Sequence, residues 1–245
     1  MKAVILAAGA ARRLAPLTNT IHKSLLKIGD RCILEHQLDA LERYGVGEAL
    51  LVVGYLKEQI MQTFGTAYKN MTLNYLENPQ YATTNTVYSL WLARDFFLAE
   101  DFVYCNADVI FHHHLVQRLL SAPYSTALGI EIKTCGEEEV KVIVGADQRI
   151  RRIGKKLNPV ECLGEFVGIA KFGAELTVDF AHSLEEVIQE GQSMSFFEAA
   201  VDRILEKHAM HSVDISDIPV IEIDFPEDLE KARRQILPQI ICRDE

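Results

Sequence analysis

The first eleven residues constrain the fold more than any other stretch. Ala3-Val-Ile-Leu-Ala7 is an apolar run without polar alternation, and Ala8-Gly-Ala-Ala11 follows with no spacer. A strand apolar on both faces must be covered on both faces, as in the centre of a parallel sheet flanked by helices. Small residues directly after such a strand let backbone N–H groups approach an anion closely. Arg12 and Arg13 come next, then Lys23, so the segment carries the charge that a polyphosphate requires. A dinucleotide-type glycine turn does not fit, because Gly9 stands alone where three spaced glycines are expected.

The rest of the first half repeats the theme. Strands are predicted at 2–7, 49–54, 71–76 and 101–106, alternating with helices at 31–44, 56–64, 85–97 and 112–121. Apolar strands bracketed by helices indicate a buried parallel sheet. The second half changes character. Strands at 125–132, 139–145, 149–154 and 165–172 are joined by short turns such as Gly145-Ala-Asp-Gln148. Helices at 174–190 and 195–207, strands at 210–215 and 219–223 and a helix at 226–236 complete the pattern. Neither a repeat nor a Pro/Gly/Ser linker interrupts it, so one domain is expected over 1–240. Residues 241–245 read as a frayed tail or as the cut edge of a longer chain.

Composition excludes several classes. A net charge of −10 argues against a nucleic-acid partner and makes the cations near the N-terminus stand out. Apolar runs fall short of the ~18 residues of a membrane span, and no basic segment precedes the first strand as in a signal peptide. Cys32, Cys105, Cys135, Cys162 and Cys242 form no CxxC pair, which fits a reducing compartment and a cytoplasmic location.

Two carboxylates stand at strand ends. Asp108 closes Phe102-Val-Tyr-Cys-Asn-Ala-Asp108, and ligands of open parallel sheets bind beyond that edge. It reads as a ligand for a nucleotide-bound Mg²⁺, or as a helix N-cap. Asp224 ends Ile221-Glu-Ile-Asp224, and Pro226 then starts a helix. On its own it reads as an N-cap; together with Asp108 it reads as a second ligand of the same ion.

Leu6-Ala-Ala-Gly-x-x-x-Arg-Leu-x-Pro-Leu-Thr18 followed by Lys23-x-Leu25 resembles the signature of nucleotidyltransferases that activate sugar phosphates and phospho-alcohols. The resemblance runs through Val53-Gly-Tyr55, Asn85 to Leu90, the Asp108 strand and the Asp224 segment, and so spans essentially the whole chain. It implies an α/β fold, a Rossmann-like three-layer, mostly parallel sheet of the GT-A-like kind, with a small antiparallel β insertion for the acceptor. It implies that Leu6, Ala7, Ala8, Gly9, Gly54, Tyr55, Thr84, Asn85 and Ser89 bind the nucleotide. Arg13 and Lys23 would be catalytic, neutralising its phosphates, and Asp108 and Asp224 would hold Mg²⁺. Two residues depart from the pattern. His22 replaces the usual Pro before the lysine and is expected to loosen that loop. Ala11 replaces a common Gly and is expected to restrict φ.

Tyr81-Ala-Thr-Thr-Asn-Thr-Val-Tyr-Ser-Leu90, Gly164-Glu-Phe-Val-Gly-Ile-Ala-Lys171 and Ile221-Glu-Ile-Asp224 are similar to the phosphocholine cytidylyltransferase branch. That branch implies CTP as the nucleotide and a small phosphorylated or phosphonate acceptor. Phosphocholine, phosphoethanolamine and 2-aminoethylphosphonate are the acceptor class. Lys155, in Arg151-Arg-Ile-Gly-Lys-Lys-Leu157, resembles the lysine that meets the acceptor's phosphate, with Lys156 turned away if the segment is extended. Lys141 and Glu165 are further acceptor candidates. Two alternatives stay open: a sugar-1-phosphate or inositol-phosphate nucleotidyltransferase, and a non-catalytic nucleotide-binding regulatory subunit. A homodimer and a fusion to a further domain are equally open.

Three other features read as structural. Tyr88 and Trp91 are better explained by core packing than by an aromatic cage. His112-His113-His114 lacks a Cys or carboxylate at metal-site spacing. Glu137-Glu-Glu139 reads as a solvated turn.

Overall fold

A computed structural model describes residues 1–244. From the N-terminus, β1 (Lys2–Ala7) leads through three 3₁₀ turns to a short hairpin of β2 (Lys27–Ile28) and β3 (Arg31–Cys32). There follow α1 (Ile33–Arg43), β4 (Glu48–Val53), α2 (Lys57–Phe64), β5 (Ala67–Tyr68) and β6 (Met71–Glu77). Next come α3 (Thr86–Leu92), α4 (Arg94–Phe97), β7 (Phe102–Asn106), β8 (Val109–Phe111) and α5 (His114–Ser121). The second half contains β9 (Ala127–Glu131), β10 (Lys141–Val144), β11 (Ile150–Gly154) and β12 (Gly164–Phe172). It continues with α6 (Ala174–Gln189), α7 (Glu198–Ile204), β13 (His211–Asp214), β14 (Val220–Glu222) and α8 (Pro226–Lys231). A π-helical turn then joins α8 to α9 (Leu237–Asp244).

The main sheet runs β11-β10-β12-β7-β1-β4-β6-β5, with β9 paired to β12 and β13 to β9. β7, β1, β4 and β6 are parallel, with β1 in the middle as its apolar faces require. β12 lies antiparallel on β7 and carries β10 and β9, so the antiparallel half is continuous with the parallel half. Alternate residues of β1 feed opposite cores. Ala3, Ile5 and Ala7 pack with Leu38 and Leu41 of α1 and Leu115 of α5, whereas Val4 and Leu6 pack with Val87 of α3 and Phe180 of α6. This division makes the three layers.

The second core centres on an aromatic stack. Phe97 lies 4.5 Å from Phe102, Phe102 5.1 Å from Phe172 and Phe172 5.2 Å from Phe180, centroid to centroid. A third cluster, with Leu14, Ile28, Ile33, Ile110, Ile223, Leu229 and Ile240, fastens the segment after β1 to the C-terminal elements. No helix among the described residues is long and apolar enough to cross a membrane.

Some boundaries differ from the sequence expectation, for local reasons. The 85–97 helix is two, α3 and α4, joined at Ala93. The segment at 109–111 is a strand, because β14 pairs with it. Residues 237–244 form a helix, with Ile240 buried in the third cluster; Glu245 lies outside the described residues.

Phe180→Ala is expected to cost about 3–5 kcal/mol, because it opens a cavity in the aromatic stack. Urea unfolding checks this, and a loss below about 1 kcal/mol would mean that the stack does not anchor the fold.

Candidate active site

Lys23 is the charge at the centre of the site. It opens the 3₁₀ turn Lys23–Leu25, and its side chain is only 9% exposed. Its Nζ lies 2.9 Å from Asp108 Oδ2 and 2.8 Å from Asp224 Oδ1. Burial alone would lower the Lys23 ammonium, but Asp108 and Asp224 outweigh it and hold it well above its ordinary value. Desolvation would raise the Asp224 carboxyl, yet Lys23 and Arg13 keep it below the usual carboxylate range.

Strand pairing brings these distant residues together. β8 and β14 run antiparallel with Val109 opposite Glu222, and the Ile223 N–H donates to the Asp108 carbonyl at 3.0 Å. The capping alternatives for both carboxylates are thereby removed. Asp108 precedes a strand, not a helix. Phe225, not Asp224, is the N-cap of α8, and the Asp228 carboxylate accepts the N–H groups just before the helix, from Asp224 at 3.0 Å and Phe225 at 2.8 Å.

A third carboxylate joins them. Glu222 and Asp224 flank the fully buried Ile223, so both face the cleft, and ligand oxygens of Asp108, Glu222 and Asp224 lie within 4.8 Å of one another. The alternation in Ile221-Glu-Ile-Asp224 was the sequence signal for Glu222, a strand carrying carboxylates at i and i+2. Partial desolvation, then repulsion from the Asp108 and Asp224 carboxylates, push the Glu222 carboxyl above its ordinary range, although the residue remains exposed. Asp108 Oδ1 is buried without a hydrogen-bond partner. Three hard oxygen donors and an orphaned carboxylate oxygen fit Mg²⁺, which takes few protein carboxylates and completes its shell with phosphate oxygens and water.

Arg13 reaches the same cluster. Its guanidinium lies 3.2 Å from Asp224 Oδ2 and 3.4 Å from Glu138 Oε2, and stacks 5.2 Å from the Phe225 ring. Glu138, in the predicted solvated turn, thus meets a site residue from the antiparallel half.

The turn after β1 is shaped by close backbone approach. The Tyr55 N–H donates to the Ala8 carbonyl at 3.1 Å, and a Cβ on Gly54 would lie 2.8 Å from that same oxygen. Nothing lies within 4 Å of a Cβ position on Gly9, which leaves open space at the turn. Ala11 adopts the left-handed region at φ 45°, so the expected restriction does not alter the turn. Its carbonyl accepts the Thr18 hydroxyl at 2.9 Å and the Leu14 N–H at 3.0 Å, bonds that offset a backbone cost of about 1–2 kcal/mol.

His22 does not loosen its loop. The ring is buried, with Nε2 3.0 Å from the Ala7 carbonyl and Nδ1 accepting the Ser24 N–H at 3.1 Å. The Tyr55 hydroxyl donates to the Thr18 and Asn19 carbonyls, fastening the same loop from β4's end.

The other nucleotide candidates divide. Thr84 and Ser89 are tied to the buried Asn78, whose amide nitrogen lies 3.1 Å from one hydroxyl and 3.0 Å from the other. Asn78 carries no sequence signal beyond a polar residue after a strand. Asn85 accepts the Thr86 N–H and caps α3.

Acceptor candidates divide as well. Lys155 follows β11 in a turn, and its ammonium stands 4.4 Å above the exposed Phe196 ring, within electrostatic reach of Asp224 and Glu198. Lys155 and Lys156 lie in a turn, so the condition under which Lys156 would face away is not met. Lys141 is corrected. It is buried, with its ammonium on the Gly136, Glu137 and Glu139 carbonyls at 2.8, 3.4 and 3.1 Å, so it organises the β9–β10 loop and leaves no face for an acceptor. Glu165 is paired with Lys133, which also holds Glu131. Trp91 packs with Tyr88 and beneath the Arg94 guanidinium against the second core. In the histidine run, His112 Nδ1 accepts the His114 N–H, and one ring nitrogen from each of His112, His113 and His114 lies within 4.8 Å of the others.

The nucleotidyl transferase family profile matches residues 2–141. The chain is 30% identical to CMP-5'-(3-aminopropyl)phosphonate synthase of Streptomyces rubellomurinus, over 97% of this chain and 39% of that protein. It therefore spans well under half the length of that relative. It is 25% identical to CTP:phosphoglutamine cytidylyltransferase of Campylobacter jejuni, over 94% of this chain and 98% of that one. Among solved structures it is similar in fold to CTP:phosphocholine cytidylyltransferase from Streptococcus pneumoniae. That match has a TM-score of 0.76 at 20% identity and covers 95% of this chain and 97% of the other.

The buried His22 carries a pH consequence. Burial, with Lys23 adding to it, holds its pKa down at about 4, against a bond to Ala7 that raises it. The unfolded chain binds this proton near pH ~6.5 and the folded one only near 4, so stability is full above 6.5 and falls as pH drops toward 4. The loss should approach about 3 kcal/mol, and His22→Gln should flatten it. Urea unfolding between pH 4 and 7 checks this; an unchanged slope in the variant would refute the assignment.

Proposed function

Because the chain belongs to the nucleotidyl transferase family, we propose that it transfers a cytidylyl group from CTP to a small acceptor bearing a phosphate or phosphonate. Pyrophosphate is the second product. The observation that carries this reading is the Lys23 ammonium held between the Asp108 and Asp224 carboxylates beside the small-residue turn after β1. The choice of CTP and of the acceptor class is supported by the names of the relatives, which act with cytidine nucleotides on phosphonate, phosphoglutamine and phosphocholine.

An acceptor oxygen attacks the α-phosphorus of CTP. The new P–O bond forms as the bond to the β-phosphate bridging oxygen breaks, and the electron pair leaves on pyrophosphate. A phosphomonoester is already largely dianionic at neutral pH, with a second pKa near ~6, so no general base is required. The barrier is the meeting of two polyanions. Unit charges ~4 Å apart interact by about 4 kcal/mol at an effective dielectric of 20, so each unneutralised contact is costly.

The chain's cations are placed for this. The turn N–H groups and Gly9 cradle the triphosphate. Lys23, on a mobile four-carbon stem, moves from the carboxylates to the phosphates, and Arg13 flanks it. Lys155 meets the acceptor anion from the antiparallel half. Asp108, Glu222 and Asp224 would hold Mg²⁺, which when bound supplies charge to the phosphates and the leaving pyrophosphate.

Lys23→Ala and Asp108→Ala should each lower the rate by about 10²–10³-fold with the fold retained, the usual cost of losing one preorganised electrostatic group. Pyrophosphate release is the measurement, run as four nucleoside triphosphates against phosphocholine, phosphoethanolamine, 2-aminoethylphosphonate, inositol phosphate and glucose 1-phosphate. CTP is expected to be the best nucleotide, with an amine-bearing acceptor. Preference for another nucleotide with glucose 1-phosphate would overturn the cytidylyl reading, and a Lys23→Ala enzyme within a few-fold of wild type would overturn the mechanism.

A further inference from the structure

We infer that His22 is a positioning residue: its imidazole joins the phosphate turn to the backbone that carries Lys23. The ring is 2% exposed and makes two directed contacts. Its Nε2 lies 3.0 Å from the carbonyl of Ala7, the last residue of β1 before the turn. Its Nδ1 accepts the N–H of Ser24 at 3.1 Å, the residue directly after Lys23. Only one tautomer satisfies both: the proton sits on Nε2 and is donated to Ala7, while Nδ1 stays free to accept.

Lys23 is therefore held on both sides by one ring, through its own peptide link to His22 on one side and the Ser24 N–H on the other. The His22 backbone is held too. Its N–H donates to Gln59 Oε1 at 2.9 Å, and Gln59 Nε2 donates to the Thr20 carbonyl at 2.8 Å. Rotation of the 22–24 backbone would break at least one of these bonds, so the Lys23 Cα is fixed relative to Ala7. The motion left to the lysine is that of its flexible stem. That motion carries Nζ between the carboxylates and a phosphate near the turn. Burial keeps the ring neutral through the physiological range, so the accepting nitrogen remains available.

A ring that merely filled space would serve the fold and leave Lys23 indifferent to it. The two roles separate in a double-mutant cycle of His22→Ala and Lys23→Ala. The inference rests on reading Lys23 as a phosphate-binding group, so the probe is inorganic tripolyphosphate with excess Mg²⁺, which supplies a replacement cation and needs neither the right nucleobase nor the right acceptor. Binding is measured by calorimetry on the full chain, with thermal unfolding as the check on folding.

His22→Ala should weaken tripolyphosphate binding by about tenfold or more with Lys23 present, since small misplacements of a charged group cost up to ~10²-fold. In the Lys23→Ala background the same substitution should change binding less than about twofold, because an effect that passes through Lys23 vanishes with it. Where His22→Ala does not fold, His22→Gln, which keeps a side-chain amide able to donate and accept, is carried through the same cycle with smaller losses expected. Equal losses in both backgrounds, or no loss in either, overturn the positioning role. If wild type does not bind tripolyphosphate at all, the phosphate-binding reading of Lys23 is itself wrong, and the inference falls with it.

Discussion

The geometry of the site depends on one ammonium between two carboxylates. Lys23 is nearly buried, and taking an isolated charge out of water costs several kcal/mol, so its place is tenable only because Asp108 and Asp224 close on it. The reverse is equally true. Asp108, Glu222 and Asp224 crowd three negative groups into one small volume, and in the absence of other cations Lys23 and Arg13 keep that volume from repelling itself apart. The cluster is thus ready for cationic exchange: Lys23 can leave only when something of opposite charge draws it and another cation replaces it. Under the proposed function, a nucleoside triphosphate and the cation it carries would meet both conditions at once.

The scaffold makes this arrangement stiff where it must be and movable where it can be. The third apolar cluster holds Leu14, next to Arg13, and Ile223, between Glu222 and Asp224, in the same packed unit. The cation and the carboxylates are therefore referenced to one another through close-packed atoms, without reliance on long side chains alone. The chain's ends meet here as well, since α8 and α9 contribute to the same cluster. The antiparallel half is anchored through β12 on β7, so Lys155 and Glu138 approach Asp224 and Arg13 from a continuous sheet.

Much of this was legible from local pattern. The apolar run of β1, the small-residue turn, the order of Arg13 and Lys23, and the alternation of strands and helices all express short-range rules, and most of the expected elements appear close to their expected bounds. The departures were informative too, though in the opposite sense to their first reading. His22 replaces a proline and tightens the loop, because a buried imidazole can bond in two directions while a pyrrolidine can accept none. Lys141 was an acceptor candidate and is instead occupied by three backbone carbonyls, because the loop that turns over it exists only in the folded state.

The sequence by itself determined the α/β class, the small-residue turn after β1, the cations that follow it and the two strand-end aspartates. Those are properties of composition and spacing within a few residues, where periodicity and side-chain chemistry act directly. Only the tertiary structure decided that Glu222 joins the aspartates, that neither aspartate is a helix cap, and that one lysine bridges both. Each of these depends on β8 pairing with β14 in a particular register. That pairing is a long-range choice, made by where buried residues such as Ile110 and Ile223 find their cover, and no local pattern specifies it.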